Sequence, residues 1–309
     1  MKQTIVALLC ALCAANTLPL FAQNTPANTI ATTGYLYPTP VNVAPGQVVT
    51  LFVPDLDLSG NISVTVRQIN EYTAPILSTN TGIVNCPAAP QVACVVYGAI
   101  TVQIPYEVWQ ICVSNVCPDV TAATSLFITQ NGTAGPAIVL NPAADHVHLL
   151  TSCDTAVGGS GNPPGYGLPC PPLITHADGS LVAASNPAQA NEELVAYATG
   201  LGLTNPVATT GKPATSAVPT QETFQLGFNF VPNALAAQPI PLPPGALPTR
   251  YATPIFSGLS AGYVGLYQIN FLVPPPPAGL MACGGAVQSN LSVSVGGQYS
   301  FDGAGICVP

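Results

Sequence analysis

Proline and glycine interrupt this 309-residue sequence so often that long helices cannot form. The chain contains 34 Pro and 28 Gly, and proline alone occurs at about twice its usual share of roughly 5%. A proline inside a helix removes a backbone hydrogen bond and clashes with the preceding turn, which excludes a mostly helical protein. Disorder is also excluded, because 48% of the residues are hydrophobic and 5% are charged, the reverse of a disordered composition. The composition therefore predicts an all-β chain.

Short β-strand patterns recur along the whole chain. They are rich in β-branched residues, largely alternate between apolar and polar positions, and are bounded by Gly, Pro, Asn or Asp. They lie at residues 47–53, 62–66, 99–104, 126–129, 193–197, 265–271 and 290–295. Because no helical pattern separates them, they favour antiparallel β-sandwiches.

The strand patterns also repeat as a set, which indicates two related domains. The aligned pairs are 45–53 with 190–198, 55–58 with 200–203, 74–78 with 253–257, and 97–105 with 265–274. We therefore predict two tandem Ig-like antiparallel β-sandwiches.

The predicted domain organisation follows from this repeat and from composition. A signal peptide at 1–22 and an N-terminal tail at 23–33 precede Ig-like domain 1 at 34–133 and Ig-like domain 2 at 134–309. We assign a Gly- and Pro-rich connector, 141–185, to the second domain. A Pro-rich insertion, 221–250, is expected to form an extended, partly polyproline surface loop.

The first 22 residues have the pattern of a secretory signal. Lys2 supplies the positive charge, residues 5–15 form an apolar stretch, and residues 20–22 offer a cleavage site. Cys10 and Cys13 follow leucines rather than the small residue that a lipoprotein signal requires. The apolar stretch is too short to span a bilayer. We therefore predict a protein that is secreted or held at the cell surface.

The charge balance excludes two classes of partner. Removal of the signal leaves Arg67, Lys212 and Arg250 against twelve acidic residues, so three positive and twelve negative charges give a formal charge of −9. Nucleic acid and anionic membranes both require clusters of basic residues. The predicted partner is therefore an extracellular protein or a glycan.

Eight cysteines follow the signal, and an even number in an exported chain favours disulfides. They fall into sequential pairs. Each pair would close a short loop and, through loop-closure entropy, stabilise the fold by roughly 2 to 3.5 kcal/mol. No CxxC spacing is present for a thiolate zinc site. Of the 105 possible connectivities, we predict the bonds Cys86–Cys94, Cys112–Cys117, Cys153–Cys170 and Cys283–Cys307.

Two histidines form one candidate metal site. His146 and His148 alternate along a predicted strand, so both imidazoles would lie on one face, as in copper and zinc sites of β-proteins. A third ligand is needed, and Asp145, Asp154 and His176 are the possible donors. Alternating histidines are also common on solvated strands. We predict no metal site and retain the two histidines as candidates.

A second candidate is a calcium loop. Residues 55–61 place oxygen ligands at positions one, three and five and Gly at position six. Position twelve would be Val66, where a bidentate Glu is required. The repeat aligns Asp55 and Asp57 with Gly200 and Gly202, so we expect both aspartates at left-handed turn positions.

The catalytic motifs all favour structural interpretations. Residues 258–262 match the G-x-S-x-G nucleophile pattern, but a strand follows where that motif needs a helix. Glu192 and Glu193 are adjacent on a strand and point apart, unlike a glycosidase pair. Trp109 and the tyrosines of 35–37 could stack on a sugar, although such residues more often complete a core. We predict no catalytic residue and no cofactor.

One part of the sequence resembles a known family. The segments HADGSL at 176–181, AYATGLG at 196–202 and FSGLSAGYVGLYQIN at 256–270 resemble a family of exported bacterial C-terminal Ig-like domains of acidobacterial type. The resemblance covers roughly residues 130–309, and residues 34–130 look like a diverged IPT/TIG-type domain. It implies Ig-like modules and an extracellular place, and it implies no site residues.

These observations lead to one expected function and an alternative. We expect a non-catalytic secreted or cell-surface module for interaction with a protein or glycan, or for structural support. The alternative is an extracellular protein that binds a metal or a small ligand, with His146, His148 and the Asp55 loop as candidates. A hydrolase is a third alternative.

Overall fold

β-Strands make up all the regular structure in the part of the chain that the computed structural model describes, namely residues 30–32, 41–54, 56–85, 95–109, 124–154, 170–234 and 251–309. The prediction of an all-β chain is confirmed. A search of these same ranges for helices that could cross a membrane found none.

The first sandwich consists of two sheets. One has the strand order β1-β3-β7-β6, and the other has the order β2-β10-β8-β4-β5, with β9 also paired to β8, where the strands are β1 (Ile30–Thr32), β2 (Val41–Val43), β3 (Val48–Pro54), β4 (Ile62–Arg67), β5 (Glu71–Thr73), β6 (Ile76–Asn85), β7 (Val95–Gln103), β8 (Thr124–Gln130), β9 (Thr133–Ala134) and β10 (Ile138–Pro142). The pairing of β2 with β10 is parallel.

Alternation of side chains explains why these segments form a sandwich. In β8 every second residue from Thr124 is buried, because successive side chains of a strand point to opposite faces. Leu126 and Ile128 therefore face inward and meet Leu51 and Ile100 from the opposite sheet in one apolar core.

The second sandwich repeats this arrangement. Its sheets have the orders β11-β13-β18-β17-β14, with β12 also paired to β13, and β16-β15-β19-β20, where the strands are β11 (His148–Leu149), β12 (Ile174–Thr175), β13 (Glu193–Thr199), β14 (Val218–Pro219), β15 (Gln225–Asn229), β16 (Tyr251–Ala252), β17 (Phe256–Leu259), β18 (Tyr267–Leu272), β19 (Leu291–Gly296) and β20 (Phe301–Ile306).

The strands occupy equivalent places in the two sandwiches. The order β3-β7-β6 recurs as β13-β18-β17, and β10-β8-β4-β5 recurs as β20-β19-β15-β16. Three of the segment pairs that align in sequence overlap equivalent strands, namely β3 with β13, β6 with β17, and β7 with β18. The predicted fold, two Ig-like β-sandwiches in tandem, is confirmed.

Two predicted boundaries differ from the structure. β10 pairs with β8 and β2, so the first sandwich extends to Pro142, beyond the expected boundary at 133/134. The expected surface loop at 221–250 also contains β15, whose Leu226 and Phe228 are buried in the core together with Phe224. This short apolar alternation was overlooked in the sequence because the rest of the segment is rich in proline. Residues 235–250 lie outside the described residues.

Two of the four predicted disulfides lie in the described residues, and both form. Cys153 and Cys170 have Cα atoms 5.2 Å apart, and Cys283 and Cys307 have Cα atoms 5.8 Å apart. Both belong to the second sandwich. The other predicted pairs fall outside the described residues, at Cys86, Cys94, Cys112 and Cys117.

Candidate functional site

His148 lies in a buried charged cluster of the second sandwich. The residue is 3% exposed. Its Nε2 is 2.9 Å from Oδ1 of Asp154, and its Nδ1 is 3.2 Å from Oδ2 of Asp302. Asp154 also accepts hydrogen bonds from the backbone N–H and the hydroxyl of Thr151, and Asp302 accepts one from the backbone N–H of Leu149. The cluster therefore connects two parts of the second sandwich, the segment after β10 and strand β20.

The protonation of His148 follows from this geometry. Burial by itself lowers the pKa of the imidazole, but the hydrogen bonds and charges of Asp154 and Asp302 outweigh it and raise the pKa to about 9. The ring is therefore charged at neutral pH, and a protonated imidazole has no lone pair to offer a metal. A search of the described residues found no group of three or more His, Cys, Asp or Glu placed to hold a metal ion.

Asp145 holds the hairpin between β19 and β20. The residue is fully buried, and its carboxylate accepts hydrogen bonds of 2.7 to 2.9 Å from the backbone N–H groups of residues 298–300 and from Ser300 Oγ. A Cβ at Gly297 would collide with that carboxylate. The hairpin presents Tyr299 and Phe301, which are 46% and 43% exposed. We call residues 297–301 the aromatic hairpin.

His146 does not join the cluster of His148. It precedes β11 rather than lying on a strand with His148, so the predicted pair of ligands on one strand face is not formed. Its Nδ1 is instead 3.2 Å from Nε2 of Gln47 in the first sandwich. This contact belongs to the junction, which we define as Gln47, Gln103, Tyr106, His146, Thr210 and Gly211.

Two fully buried glutamines bridge the junction. Gln47 accepts a hydrogen bond of 2.8 Å from the backbone N–H of Ala44 and donates one of 3.3 Å to the carbonyl of His146. Gln103 accepts a bond of 2.7 Å from the backbone N–H of Gly211 and donates to its own sandwich. A buried amide that lost such partners would pay a desolvation cost, so both residues favour one orientation of the two sandwiches.

Tyr106 provides the apolar part of the junction. The residue follows β7 in the first sandwich, is 5% exposed, and packs in the hydrophobic core of the second sandwich. Burial raises the pKa of its hydroxyl. Its backbone N–H donates to Thr210 Oγ1 at 3.0 Å, and Thr210 donates in turn to Glu107 at 2.7 Å. The two sandwiches are therefore joined by a shared core residue as well as by hydrogen bonds.

A groove of about 380 Å³ lies between the sandwiches. The described residues that line it are mainly apolar and include no ionisable group other than the Tyr263 phenol. They come from the first sandwich (Val48, Leu77, Ser78, Thr101) and from the second (Leu150, Thr199, Tyr263, Val264, Gly265, Leu266). The volume is in the range of small-molecule sites.

The calcium candidate is a turn in the structure. Asp57 does not adopt the expected left-handed conformation, whereas Gly200 and Gly202 do, with φ of 79° and 77°. Asp57 Oδ1 instead accepts hydrogen bonds from the backbone N–H and hydroxyl of Ser59, which lower the pKa of Asp57. The alignment misled because a Cβ at either glycine would strike the chain at residues 144–146, a contact specific to the second sandwich. Asp55 lies outside the described residues.

The catalytic candidates make hydrogen bonds within the second sandwich. Ser260, in the loop between β17 and β18, donates its hydroxyl to Gln268 at 2.8 Å. Glu192 Oε1 is 2.6 Å from Nδ1 of His176, and Glu193 accepts a hydrogen bond from Asn270, so the two glutamates have different partners. The hydrogen bond to Glu192 raises the pKa of His176.

Of the aromatic candidates, the structure describes Trp109. Trp109 is 53% exposed, and its carbonyl accepts a hydrogen bond from Gln68. Tyr35 and Tyr37 lie outside the described residues.

Sequence reasoning named His146 and Asp154 but missed the other residues of the junction and the second partner of His148, Asp302. Gln103 and Tyr106 follow an alternating strand and carry no motif, and Asp302 lies in a glycine-rich strand. One signal in the sequence could have found Gln103. The alternation of side chains along β7 places Gln103 on the face opposite to the core of the first sandwich, and that face is turned toward the second sandwich.

Comparisons with known proteins give no family. No family model matches the chain, and no curated protein matches it. Among solved structures, the chain is similar to a pullulanase of Anoxybacillus sp. LM18-11 (8% identity, 87% of this chain and 27% of that one, TM-score 0.19). It is also similar to the adhesin InvE of Yersinia pseudotuberculosis (10%, 91% and 58%, 0.18) and to the C-terminal domain of the AgI/II polypeptide BspA of Streptococcus agalactiae (8%, 89% and 96%, 0.18).

This chain therefore spans about a quarter of the pullulanase and a little over half of InvE. At TM-scores of 0.18 and 0.19, these likenesses do not bear on function.

Proposed function

We propose that this protein is a non-catalytic extracellular module in which two Ig-like sandwiches are held in one orientation and present a surface to a glycan or protein partner. The observation that carries the proposal is the junction. Gln47, Gln103 and Tyr106 of the first sandwich are all buried and bonded to the second. A fixed orientation reduces the entropy lost when a partner that contacts the second sandwich also reaches the first.

The polar side chains that could serve chemistry support the same role. His148, Asp154 and Asp145 are each less than 4% exposed, and their hydrogen bonds go to neighbouring strands and turns. Groups held in this way stabilise a scaffold. A catalytic group has to reach a substrate instead.

The aromatic hairpin is the contact surface that we propose. Its tip exposes Tyr299 and Phe301 together with the amide of Gln298, and none of these side chains is charged. Aromatic rings with neutral hydrogen-bonding groups suit the apolar faces and hydroxyls of a neutral glycan. The four hydrogen bonds to Asp145 hold the hairpin in shape before a partner arrives.

A sedimentation assay with insoluble cellulose and with peptidoglycan sacculi tests this function. We expect the wild-type chain to sediment with at least one of the two. The double variant Tyr299→Ser, Phe301→Ser should bind about tenfold more weakly, since two aromatic contacts are lost. The matched control Ile255→Ser removes an apolar side chain that is 55% exposed beside the other sheet and should bind normally.

Two results would overturn the proposal. One is equal binding by the wild type and the double variant, and the other is release of reducing sugars from either polysaccharide. Intact-mass spectrometry of the exported protein is a companion measurement. Four disulfides would make the mass lower than that of the reduced chain by about eight hydrogens, and a stoichiometric metal adduct would favour a metal-binding protein instead.

The groove between the sandwiches favours a second candidate function, the binding of a small uncharged molecule. Its apolar walls come from both sandwiches, so a bound molecule would also stiffen the junction. Titration with cyclohexanol, followed by NMR shifts of Thr199 and Leu266, tests it. Shifts that saturate and that vanish in a Leu77→Trp variant would support this role, and shifts that stay linear would exclude it for this probe.

A further inference from the structure

His146 is the residue of the junction whose ordinary pKa lies closest to neutral pH. Its Nδ1 is 3.2 Å from Nε2 of Gln47, and its carbonyl oxygen is 3.3 Å from the same nitrogen. One amide group therefore contacts both the ring and the backbone of His146.

The amide of Gln47 cannot be turned around. Its Oε1 accepts the backbone N–H of Ala44 at 2.8 Å, and the residue is fully buried. A flipped amide would place its NH₂ group against the N–H of Ala44, so that two donors would face each other. Nε2 therefore donates toward His146, and Nδ1 must accept. The ring is neutral, with its proton on Nε2.

The charges around His146 come from two elements. Asp145 and His148 lie on its own segment, and Asp302 lies on β20. The turn of the first sandwich that carries Gln47 brings no titratable group to the ring. Burial, and then the charge of His148, lower the pKa of His146, and the opposing effects of Asp145 and Asp302 are smaller.

We propose that protonation of His146 opens this corner of the junction, so that the two sandwiches are held rigidly near neutral pH and gain freedom in acid. A proton on Nδ1 would face the N–H of Gln47, and the ring would have to move away. The inference rests on the junction of the proposed function and requires no partner to be bound.

The direction of the pH dependence follows from linkage. The closed junction disfavours the proton, so its pKa for His146 lies below the ordinary value of about 6.5. The contact has its full strength above that value and weakens as the pH falls below it.

Amide hydrogen exchange of the full exported chain tests the proposal. The N–H of Ala44 reports the position of Gln47, and the N–H of Gly211 reports the Gln103 bond across the junction. Between about pH 7.5 and about pH 4.5, a range that spans the ordinary pKa of histidine, we expect the protection factor of Ala44 to fall about fivefold, the effect of losing one average hydrogen bond. Protection of Ile269, in the core of the second sandwich, should stay constant.

Two variants separate titration of His146 from general acid effects. His146→Asn keeps an acceptor close to the position of Nδ1 but cannot titrate, so Ala44 should stay protected in acid. Gln47→Glu replaces the donor with a carboxylate oxygen that pairs with a protonated ring. Acid should then increase the protection of Ala44, opposite to the wild type.

Three results would overturn the proposal. They are constant protection of Ala44 in the wild type, an undiminished loss of protection in His146→Asn, and ring ¹⁵N shifts at neutral pH that place the proton on Nδ1. None of them affects the sedimentation assay at neutral pH, so failure of this inference is distinguishable from failure of the proposed function.

Discussion

The two sandwiches share a strand order but close one sheet edge differently. In the first, β2 adds a parallel backbone ladder to β10, from Val41 opposite Leu140 to Val43 opposite Pro142. In the second, among the described residues, no strand pairs with the outer edge of β20. The backbone N–H groups of residues 147 and 149 donate instead to the side chains of Ser300 and Asp302, at 2.7 and 2.9 Å.

This difference shows two ways to complete one fold. A backbone ladder distributes its hydrogen bonds over peptide groups and demands little of any one side chain. Side-chain closure concentrates the same task in a few residues, and here it also places the buried His148 between the buried carboxylate of Asp154 and the partly exposed carboxylate of Asp302. Removing one partner of a buried ionic cluster leaves the others unpaired. Stability of the second sandwich should therefore depend on single residues, and that of the first should not.

Replacement of His148 by leucine should have the largest effect. It leaves Asp154, whose side chain is 1% exposed, without its cation. We expect a loss of about 3 to 5 kcal/mol in the unfolding free energy of the second sandwich, measured by urea denaturation. A loss of under about 1 kcal/mol, the size of a surface ion pair, would show that the cluster does not close the edge.

Alkaline pH should weaken the second sandwich through the same residue. The folded pKa of His148, about 9, lies above the unfolded value of about 6.5, so its contribution is complete below about pH 6.5 and is lost as the pH rises through about 9. The total loss should be about 3 kcal/mol. Urea denaturation at about pH 7.5 and about pH 10 should detect about 2 kcal/mol of this loss, because the unfolded histidine has already lost most of its proton at the lower of these two pH values. His148→Leu should lack this component, and an equal pH dependence in that variant would contradict the assignment.

A matched pair of glycines compares the two sandwiches at their turns. Gly200 and Gly132 both have positive φ, of 79° and 82°. A Cβ at Gly200 would collide with the carbonyl of His146, whereas a Cβ at Gly132 meets open space. Gly132→Ala should cost about 1 to 2 kcal/mol from backbone strain, and Gly200→Ala should cost a further 1 to 3 kcal/mol, roughly, from overpacking. Thermal unfolding measures both, and equal costs would contradict a close contact at Gly200.

The smallest effect should come from the ion pair of the first sandwich. Arg67 and Glu71 are 2.6 Å apart, but their side chains are 61% and 46% exposed. Arg67→Leu should change the unfolding free energy by about 0 to 1 kcal/mol. High salt should likewise change the contribution of this ion pair to the unfolding free energy by no more than about 1 kcal/mol. A loss as large as that of His148→Leu would remove the contrast between the two sandwiches.

Most strands could be predicted, and the exceptions have physical causes. The alternation of apolar and polar residues at 126–129 and 193–197 predicted β8 and β13, because each strand packs one face on the core of its own sandwich. β15 was missed because its five residues lie between prolines and are too few to give a clear pattern. The strand is defined by its pairing with β19, which is distant in sequence. The first domain was ended too early because β10, at 138–142, pairs with strands far away in sequence.

The candidate site was predictable only in part. His146 and His148 stood out by residue type, but the sequence suggested one shared role. The structure gives His148 two carboxylates of its own sandwich and gives His146 a glutamine of the other. Neither Asp302 nor Gln47 could be assigned as a partner, because each lies about 100 to 150 positions away, where no local pattern operates.

By itself, the sequence determined the all-β class, the strand alternation and two of the disulfide pairs, because these depend on period, on composition and on short loops. The tertiary structure alone decided which polar groups were buried together, how the edge of the second sandwich was closed, and how the sandwiches were joined. Those features rest on contacts between residues distant in sequence. Such contacts are selected by the desolvation of particular atoms, and no periodicity of the chain records them.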